Sequence, residues 1–157
     1  MHNGVTEVVT MSKKFRQTQT PKVVPIATLL AVDKEGNVLL AKNERGVYSL
    51  PNIELKQKQT LENSVRMDMK DVHHLEVGTL SLMNVYSDSE FSPSKWLVEV
   101  HTIYYTEDFE PNGSQTFYPM YDVPENIDAF SKRVICKYYD DVQKSFMDYI
   151  RVHGDLY

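Results

Sequence analysis

The sequence predicts a mixed α/β (α+β) domain in which helices cover the faces of a mixed sheet. Segments rich in β-branched and aliphatic residues come in adjacent pairs with short polar links, and each pair precedes a segment of helical periodicity. The length of 157 residues, with 41% hydrophobic and 25% charged residues, suits one domain with a single core. We therefore expect one domain over residues 22–157, preceded by a polar, mobile arm over residues 1–21.

Charge and cysteine content exclude several classes of protein. A formal net charge of -5 argues against non-specific nucleic-acid binding, which needs many cationic side chains. The single cysteine, Cys136, excludes an intrachain disulfide. No apolar run is long enough to span a membrane, and the first 20 residues lack the apolar core of a secretory signal. We expect a cytoplasmic protein without a membrane or nucleic-acid partner.

The first predicted elements are two strands joined as a hairpin. Residues 22–32 are rich in Val, Ile and Leu, the turn signal of residues 33–37 follows, and residues 38–40 are again apolar. Residues 47–51 then remain extended, because Pro51 disfavours the helical conformation at Leu50.

A helix is predicted over residues 60–74, with Thr60 as its N-cap. At one hundred degrees per residue, Ser64, Asp68 and Asp71 share one edge of an apolar stripe. The stripe consists of Leu61, Val65, Met69 and Val72.

Two further strands are predicted over residues 80–86 and 95–106, paired as a second hairpin. A final helix follows Pro119 and Pro124, because apolar residues recur there every four positions as a core-facing stripe. The stripe consists of Phe130, Val134, Tyr138, Val142, Phe146 and Ile150.

Over residues 22–150 the chain resembles the Nudix (MutT-like) hydrolase superfamily. The opening strand pair, the segment from Tyr48 through Leu50 to Pro51, and the stretch from Tyr118 to Pro124 are similar to the family's hairpin, its entry into the signature loop, and the approach to its last helix. The resemblance implies a Nudix-like α/β/α sandwich with a mixed sheet. It also implies hydrolysis of diphosphate linkages in nucleoside diphosphate derivatives, with Mg²⁺ or Mn²⁺ as cofactor.

The family signature is strongly degenerate here. It reads Gly, five residues, Glu, seven residues, Arg-Glu, an aliphatic residue, one residue, Glu-Glu, one residue, Gly and an aliphatic residue. The register set by Leu50 and Pro51 places Ile53 and His74 at the Gly positions, Gln59 at the first Glu, Met67 at the Arg, Asp68, Asp71 and Val72 at the helical Glu positions, and Met69 and Leu75 at the aliphatic positions.

The resemblance makes Asp68 and Asp71 the candidate catalytic and metal-binding residues. Both supply the oxygen ligands that Mg²⁺ prefers, but Val72 supplies none, so more than one bound cation is not expected. Several cations normally stabilise the charge that develops on a diphosphate during attack by water. We therefore expect hydrolysis to be weak or lost. Because Ile53 and His74 replace glycines, we also expect the signature loop to take a different path.

The candidate substrate contacts are Tyr48, Lys56 and Lys58. The two lysines add positive charge to the signature loop, where they would contact a phosphate. The alternative interpretation is that both are solvated loop lysines and that Tyr48 packs in the core or at its rim. A further loop carboxylate, often present in the family, corresponds to Glu107, Asp108 or Glu110.

Three functions remain open at this point. The first is a Nudix-like protein with an eroded catalytic box that retains a groove for a nucleotide, a nucleotide-derived small molecule or a partner. The second is an active Mg²⁺-dependent hydrolase of nucleoside diphosphate-linked substrates. The third is a structural or protein-interaction domain, including a homodimer.

Overall fold

A computed structural model of the chain describes residues 22–55, 61–87, 97–111 and 115–154. The predicted mobile arm lies outside the described residues, as do Lys56 and Lys58. In the described part the elements are β1 Lys22–Ala31, β2 Asn37–Lys42, β3 Tyr48–Ser49, β4 Asn52–Glu54, α1 Leu61–His73, β5 Leu75–Val77, β6 Ser81–Tyr86, β7 Leu97–Thr106, β8 Phe109–Pro111, β9 Thr116–Pro119 and α2 Ala129–His153.

The central sheet has four strands in the order β4-β1-β7-β6. Strands β1 and β7 pair in parallel over ten residues, whereas β4 and β6 are antiparallel to their neighbours. The sheet is therefore mixed, and the predicted pairing of residues 80–86 with residues 95–106 is confirmed. Two smaller sheets, β3-β2-β9 and β5-β8, complete the strand pairing.

Helices α1 and α2 pack against opposite faces of β1. Ala27, Leu29 and Ala31 belong to a buried cluster with Val65 and Met69 of α1. Leu30 and Val32 belong to a second cluster with Val134 and Ile135 of α2. Because neighbouring residues of a strand face opposite sides, β1 is buried on both faces and reads as a continuous apolar run. The α/β/α sandwich expected from the sequence is confirmed.

The predicted opening hairpin is only partly correct. The turn forms as expected: the Asp33 carboxylate accepts hydrogen bonds from the amides of Glu35 and Asn37, and Gly36 has a φ of 81°. Beyond the single bridge between Val32 and Val38 the two strands separate. Strand β1 joins the central sheet and β2 joins a different one, because β1 pairs with β7 rather than with its sequence neighbour.

Helix α2 packs through its first part only. Its buried residues are Ser131, Val134 and Ile135, all within the first two turns. Val142 and Phe146, which were expected to face the core, are 40% and 57% exposed. The apolar stripe predicted for the last helix marks the correct face in its first part. The helix is 25 residues long, however, and its second half extends beyond the sheet against which the first half packs. No helix in the described part of the chain has the length and apolar character to cross a membrane.

Asp108 connects the loop after β7 to the loop before β6 through both its carboxylate and its backbone carbonyl. Its Oδ2 atom accepts a hydrogen bond from the Thr79 amide at 3.0 Å, and its backbone carbonyl accepts one from the Gly78 amide at 2.8 Å. A Cβ atom built on Gly78 would overlap this carboxylate. Glycine is therefore required at position 78 for close approach and not for an unusual φ. These hydrogen bonds assign Asp108 a structural role.

Substituting Gly78→Ala should lower the free energy of unfolding by about 1–3 kcal/mol, because the methyl group displaces the Asp108 carboxylate from the Thr79 amide. In an Asp108→Ala background the same substitution should have little further effect. Urea denaturation measures both values. Gly154→Ala, where a Cβ meets nothing within 4 Å, is the control. Fully additive losses in the double variant would contradict the proposed overlap.

Candidate functional site

A cleft of about 500 Å³ opens at the end of α1, between the β2–β4 region and the segments that precede β9 and α2. We call it the polar cleft. Its apolar lining residues are Ala41, Val47 and Val72. The polar lining residues are Lys42, Asn43, Ser49, Asn52, His73, His74, Gln115 and Asp128.

Hydrogen bonds from both sides hold the end of α1 at the cleft. His73 Nε2 lies 2.9 Å from the carbonyl oxygen of Asn52, so this ring nitrogen carries the proton and donates. The side-chain amide of Gln115 donates a hydrogen bond to the backbone carbonyl of His73. This carbonyl is one of those at the end of α1 that have no hydrogen-bond partner within the helix. Asn52 is fixed in turn, because its side-chain amide donates to the Leu50 carbonyl at 2.9 Å. The cleft is thus built from segments far apart in sequence.

Tyr48 contributes to the cleft by positioning Lys42. The ammonium of Lys42 lies 5.4 Å from the centroid of the Tyr48 ring, within the range of a cation–π contact. The Tyr48 ring is half-buried, and its hydroxyl accepts a hydrogen bond from the Tyr118 hydroxyl at 3.0 Å. This hydrogen bond raises the pKa of Tyr118. Tyr48 does not itself line the cleft, so its predicted contact with a substrate remains untested.

Asp128 is the acidic residue of the cleft lining, and its carboxylate already has partners. It is the N-cap of α2: Oδ1 accepts from the Ser131 amide at 2.7 Å, and Oδ2 accepts from the Ser131 hydroxyl at 3.1 Å. Capping of this kind satisfies a backbone N–H that the helix leaves unpaired. The negative charge of Asp128 is therefore engaged in starting α2.

His74, directly after α1, has a φ of 53°. Its amide donates to the Lys70 carbonyl at 3.1 Å, as expected of a residue that ends a helix in the left-handed conformation. Glycine adopts this conformation without steric penalty, whereas a residue with a Cβ does so at a cost of about 1 kcal/mol. The chain therefore accepts local strain at this edge of the cleft.

A second cavity, of about 320 Å³, adjoins the polar cleft, since Asn52 and Asp128 line both. We call it the inner pocket. Its walls include Thr28 of β1, Glu99 and His101 of β7, and Phe130 of α2. His101 Nε2 lies 3.0 Å from Glu99 Oε1, and the imidazole packs on the Phe130 ring with centroids 4.0 Å apart.

Comparison with known proteins identifies the fold. No protein-family sequence model matches the chain, and no curated protein matches it in sequence. Solved structures do. A MutT NUDIX hydrolase from Burkholderia pseudomallei matches with a TM-score of 0.62 at 16% identity, over 73% of this chain and 96% of that one. A MutT protein from Bacillus halodurans matches with 0.57 at 17% identity, over 71% and 79%. The E. coli ORF135 protein matches with 0.60 at 7% identity, over 80% and 94%.

The fold is a Nudix fold. At these identities the likeness establishes the architecture and leaves the activity open. The register that places the family signature on α1 stays a prediction.

The acidic residues of that helix do not line the polar cleft. Val72, which the predicted register places at a signature Glu position, lines the cleft and is 60% exposed, so it does not face the core with Val65 and Met69 of the predicted apolar stripe. Asp68 is half-buried one turn earlier, and Asp71 lines a separate depression with Lys70, His74 and Glu76. Among the described residues, no group of three or more His, Cys, Asp or Glu side chains could hold a metal ion. Metal binding by Asp68 and Asp71 stays a prediction.

The two positions that the predicted register aligns with signature glycines have different surroundings. Ile53 lies in β4, pairs with Ala27 and is buried in the core, so its side chain contributes apolar packing that a glycine could not provide. His74 adopts the left-handed conformation without being a glycine, and the expected different path of the signature loop stays a prediction. The loop between these positions includes residues 56–60, which lie outside the described residues.

Several cleft residues were missed by the sequence reasoning: Lys42, Asn52, Gln115 and Asp128. A local signal existed for Asp128, since Asp is a preferred N-cap residue directly before a segment of helical periodicity. Nothing local marks Lys42, Asn52 or Gln115, because the tertiary arrangement of β2, β4 and β9 brings them to the cleft.

Substituting His74→Gly should raise the free energy of unfolding by about 0.5–1 kcal/mol, because glycine relieves the strain of the left-handed conformation. His74→Ala keeps a Cβ at the same φ and should bring no gain. Guanidinium denaturation of both variants tests this. Equal stabilisation by Ala and Gly would show that the imidazole, and not the backbone, carries the strain.

Proposed function

We propose that this Nudix-fold chain binds a phosphorylated small molecule, a nucleotide or a nucleotide-derived compound, in the polar cleft, with diphosphate hydrolysis weak or lost. One observation supports this most directly. The ionisable side chains that line the cleft are Lys42, His73, His74 and an Asp128 already engaged as a helix cap, while Val72 stands where the predicted register has a signature Glu.

These side chains suit an anion better than a cation. The Lys42 ammonium offers three N–H donors, the His74 ring offers an N–H donor, and the amides of Asn52 and Gln115 add further polar groups at the same surface. Hydrogen bonds from charged donors to phosphate oxygens are about twice as strong as neutral ones. An anionic phosphate therefore meets donors where a metal-dependent hydrolase presents carboxylates.

Binding and hydrolysis make different demands on this surface. Diphosphate hydrolysis needs charge stabilisation at the attacking and leaving oxygens, which bound cations normally provide together with a positioned water. The side chains here do not fit a site for several cations: Asp68 and Asp71 could hold one Mg²⁺ or Mn²⁺ between them, and neither lines the cleft. The donor set supports retention of the ligand without efficient turnover.

A protein partner or a second copy of the chain is the other candidate. It is favoured by the exposed apolar residues in the distal half of α2, namely Val142, Phe146, Met147, Tyr149 and Val152. Exposed apolar patches of this kind often mark interaction surfaces. Sedimentation velocity across a range of concentrations separates a monomer from a homodimer.

Isothermal titration with pyrophosphate and with adenosine diphosphate, in the presence of EDTA, tests the binding proposal. Lys42→Gln should weaken both ligands about tenfold, which is about 1.4 kcal/mol, through loss of one charged donor. Arg45→Gln removes the same charge from the neighbouring exposed turn and should change affinity little. The ligands should also raise the melting temperature of the wild type by mass action. Absence of binding, or equal losses in the two variants, would count against the cleft.

Incubation with nucleoside diphosphate derivatives and Mg²⁺ or Mn²⁺ tests the loss of hydrolysis. We expect little or no turnover, because Val72 provides no oxygen ligand at a signature Glu position. The Asp68→Asn variant should behave like the wild type. Efficient turnover that Asp68→Asn abolishes would establish the alternative, an active Mg²⁺-dependent hydrolase.

A further inference from the structure

Strands β4 and β6 are the two edges of the central sheet, and they differ in length and charge. Strand β4 has three residues and ends in Glu54, whereas β6 has six residues, none of them charged. Short length and charged side chains are common means by which proteins keep a sheet edge from pairing with another chain. In the described part of the chain, no strand pairs with the outer side of β6. This edge is therefore available to a further strand.

The hydrogen bonds of the sheet show which residues of β6 direct their backbone groups outward. The Val32 amide donates to the Thr106 carbonyl, so even-numbered residues of β7 direct their backbone groups toward β1. Leu82 and Val85 are opposite even-numbered residues of β7. In an antiparallel pair, opposite residues either exchange hydrogen bonds or both point away, so Leu82 and Val85 point to the open side. The Val85 amide accordingly donates to the side-chain oxygen of Asn84, at 2.8 Å.

Apolar surface lies on both faces of this edge. Leu82 is opposite Tyr104, which belongs to the buried cluster beside α1, and Val85 is opposite Thr102, on the same face. Leu82 is 60% exposed and Val85 is 53% exposed, so α1 does not cover them. On the other face, a cavity of about 360 Å³ opens between β6 and α2 and is lined in part by three tyrosines. A further strand beside β6 would cover both surfaces.

We infer that β6 pairs with β6 of a second copy of the chain, antiparallel about a two-fold axis between Met83 and Asn84. Leu82 is then opposite Val85 of the partner subunit, and the axis generates the same pair a second time. Each pair exchanges two backbone hydrogen bonds and places both apolar side chains on one face. The two four-stranded central sheets become one continuous sheet.

A second copy fits because the edge is complementary to itself, as a two-fold interface requires. The β-bulge between Leu82 and Asn84 lies at the same place in both strands, so it does not break the register. A shift of one residue would place Leu82 opposite Asn84 of the partner subunit, whose backbone groups point to β7, and the hydrogen bonds would be lost. This interface involves neither the polar cleft nor the distal half of α2, so it is independent of the proposed ligand.

Sedimentation velocity of the full chain over a range of concentrations is the first test. We expect a species of twice the 18.2 kDa mass of the chain that dissociates on dilution. Val85→Lys should weaken association at least about tenfold, because it places a charge on the paired edge. Val152→Lys is the matched control: it changes an exposed valine of the distal half of α2 and should leave association unchanged.

The folding of both variants is checked by their melting temperatures at a concentration where the wild type is monomeric. Both should match the wild type there, because the two valines are exposed. A wild type that is monomeric at every concentration would overturn the inference, whatever else occupies the edge. So would a dimer that Val152→Lys weakens and Val85→Lys does not, since the distal half of α2 would then be the interface.

Disulfide formation tests the register. Residues in a hydrogen-bonded antiparallel pair have Cα atoms about 5.5 Å apart, which suits a disulfide. In a Cys136→Ser background, Leu82→Cys and Val85→Cys chains are mixed while dilute, concentrated and treated with oxidised glutathione. A covalent dimer of the two variants should form, and little should form from either alone, because identical residues lie about 10 Å apart along the strands. A mixture that yields no more covalent dimer than either variant alone would overturn the inference.

Discussion

The side-chain hydroxyl of Ser131 is the contact on which the architecture around both cavities depends. It accepts a hydrogen bond at 2.9 Å from the amide of Leu50, which is 81 residues away in sequence, and it donates one at 3.1 Å to the Asp128 carboxylate. The backbone carbonyl of Pro51, the residue after Leu50, accepts a hydrogen bond from the Leu29 amide at 2.9 Å. The first turn of α2 is thereby joined to β1 through one short segment, and Asn52, which lines both cavities, follows directly. Because Ser131 is 2% exposed, water cannot readily replace these hydrogen bonds.

Two positions that the predicted register aligns with signature glycines carry larger side chains here. Ile53 contributes to the core, and His74 maintains a left-handed backbone that glycine would adopt without strain. Backbone strain of this kind persists only where the surroundings enforce it. At His74 the surroundings are the hydrogen bonds at the end of α1, which His73 makes with Asn52 and Gln115.

The two cavities have different linings. Charged and amide side chains line the polar cleft, and Thr28, Glu99, His101 and the Phe130 ring are among the residues that line the inner pocket. Groups left without partners in the free protein lower its stability, but they make a ligand that satisfies them bind more specifically. The strain at His74 and the buried unpartnered atoms of Thr28 and His101 each lower the stability of the free protein in this way.

Local periodicity in the sequence determined which segments are helices and strands, because that depends on residues a few positions apart. Helix α1, the turn at Asp33 and the pairing of β6 with β7 followed from it. The tertiary structure alone decided that β1 and β2 enter different sheets, that Val72 faces a cleft, and that the distal half of α2 is uncovered. It also decided which side chains meet in the two cavities. Lys42 and Gln115 line one cavity, and Thr28 and His101 line the other, through pairing between strands that are distant in sequence. No pattern of neighbouring residues records such contacts.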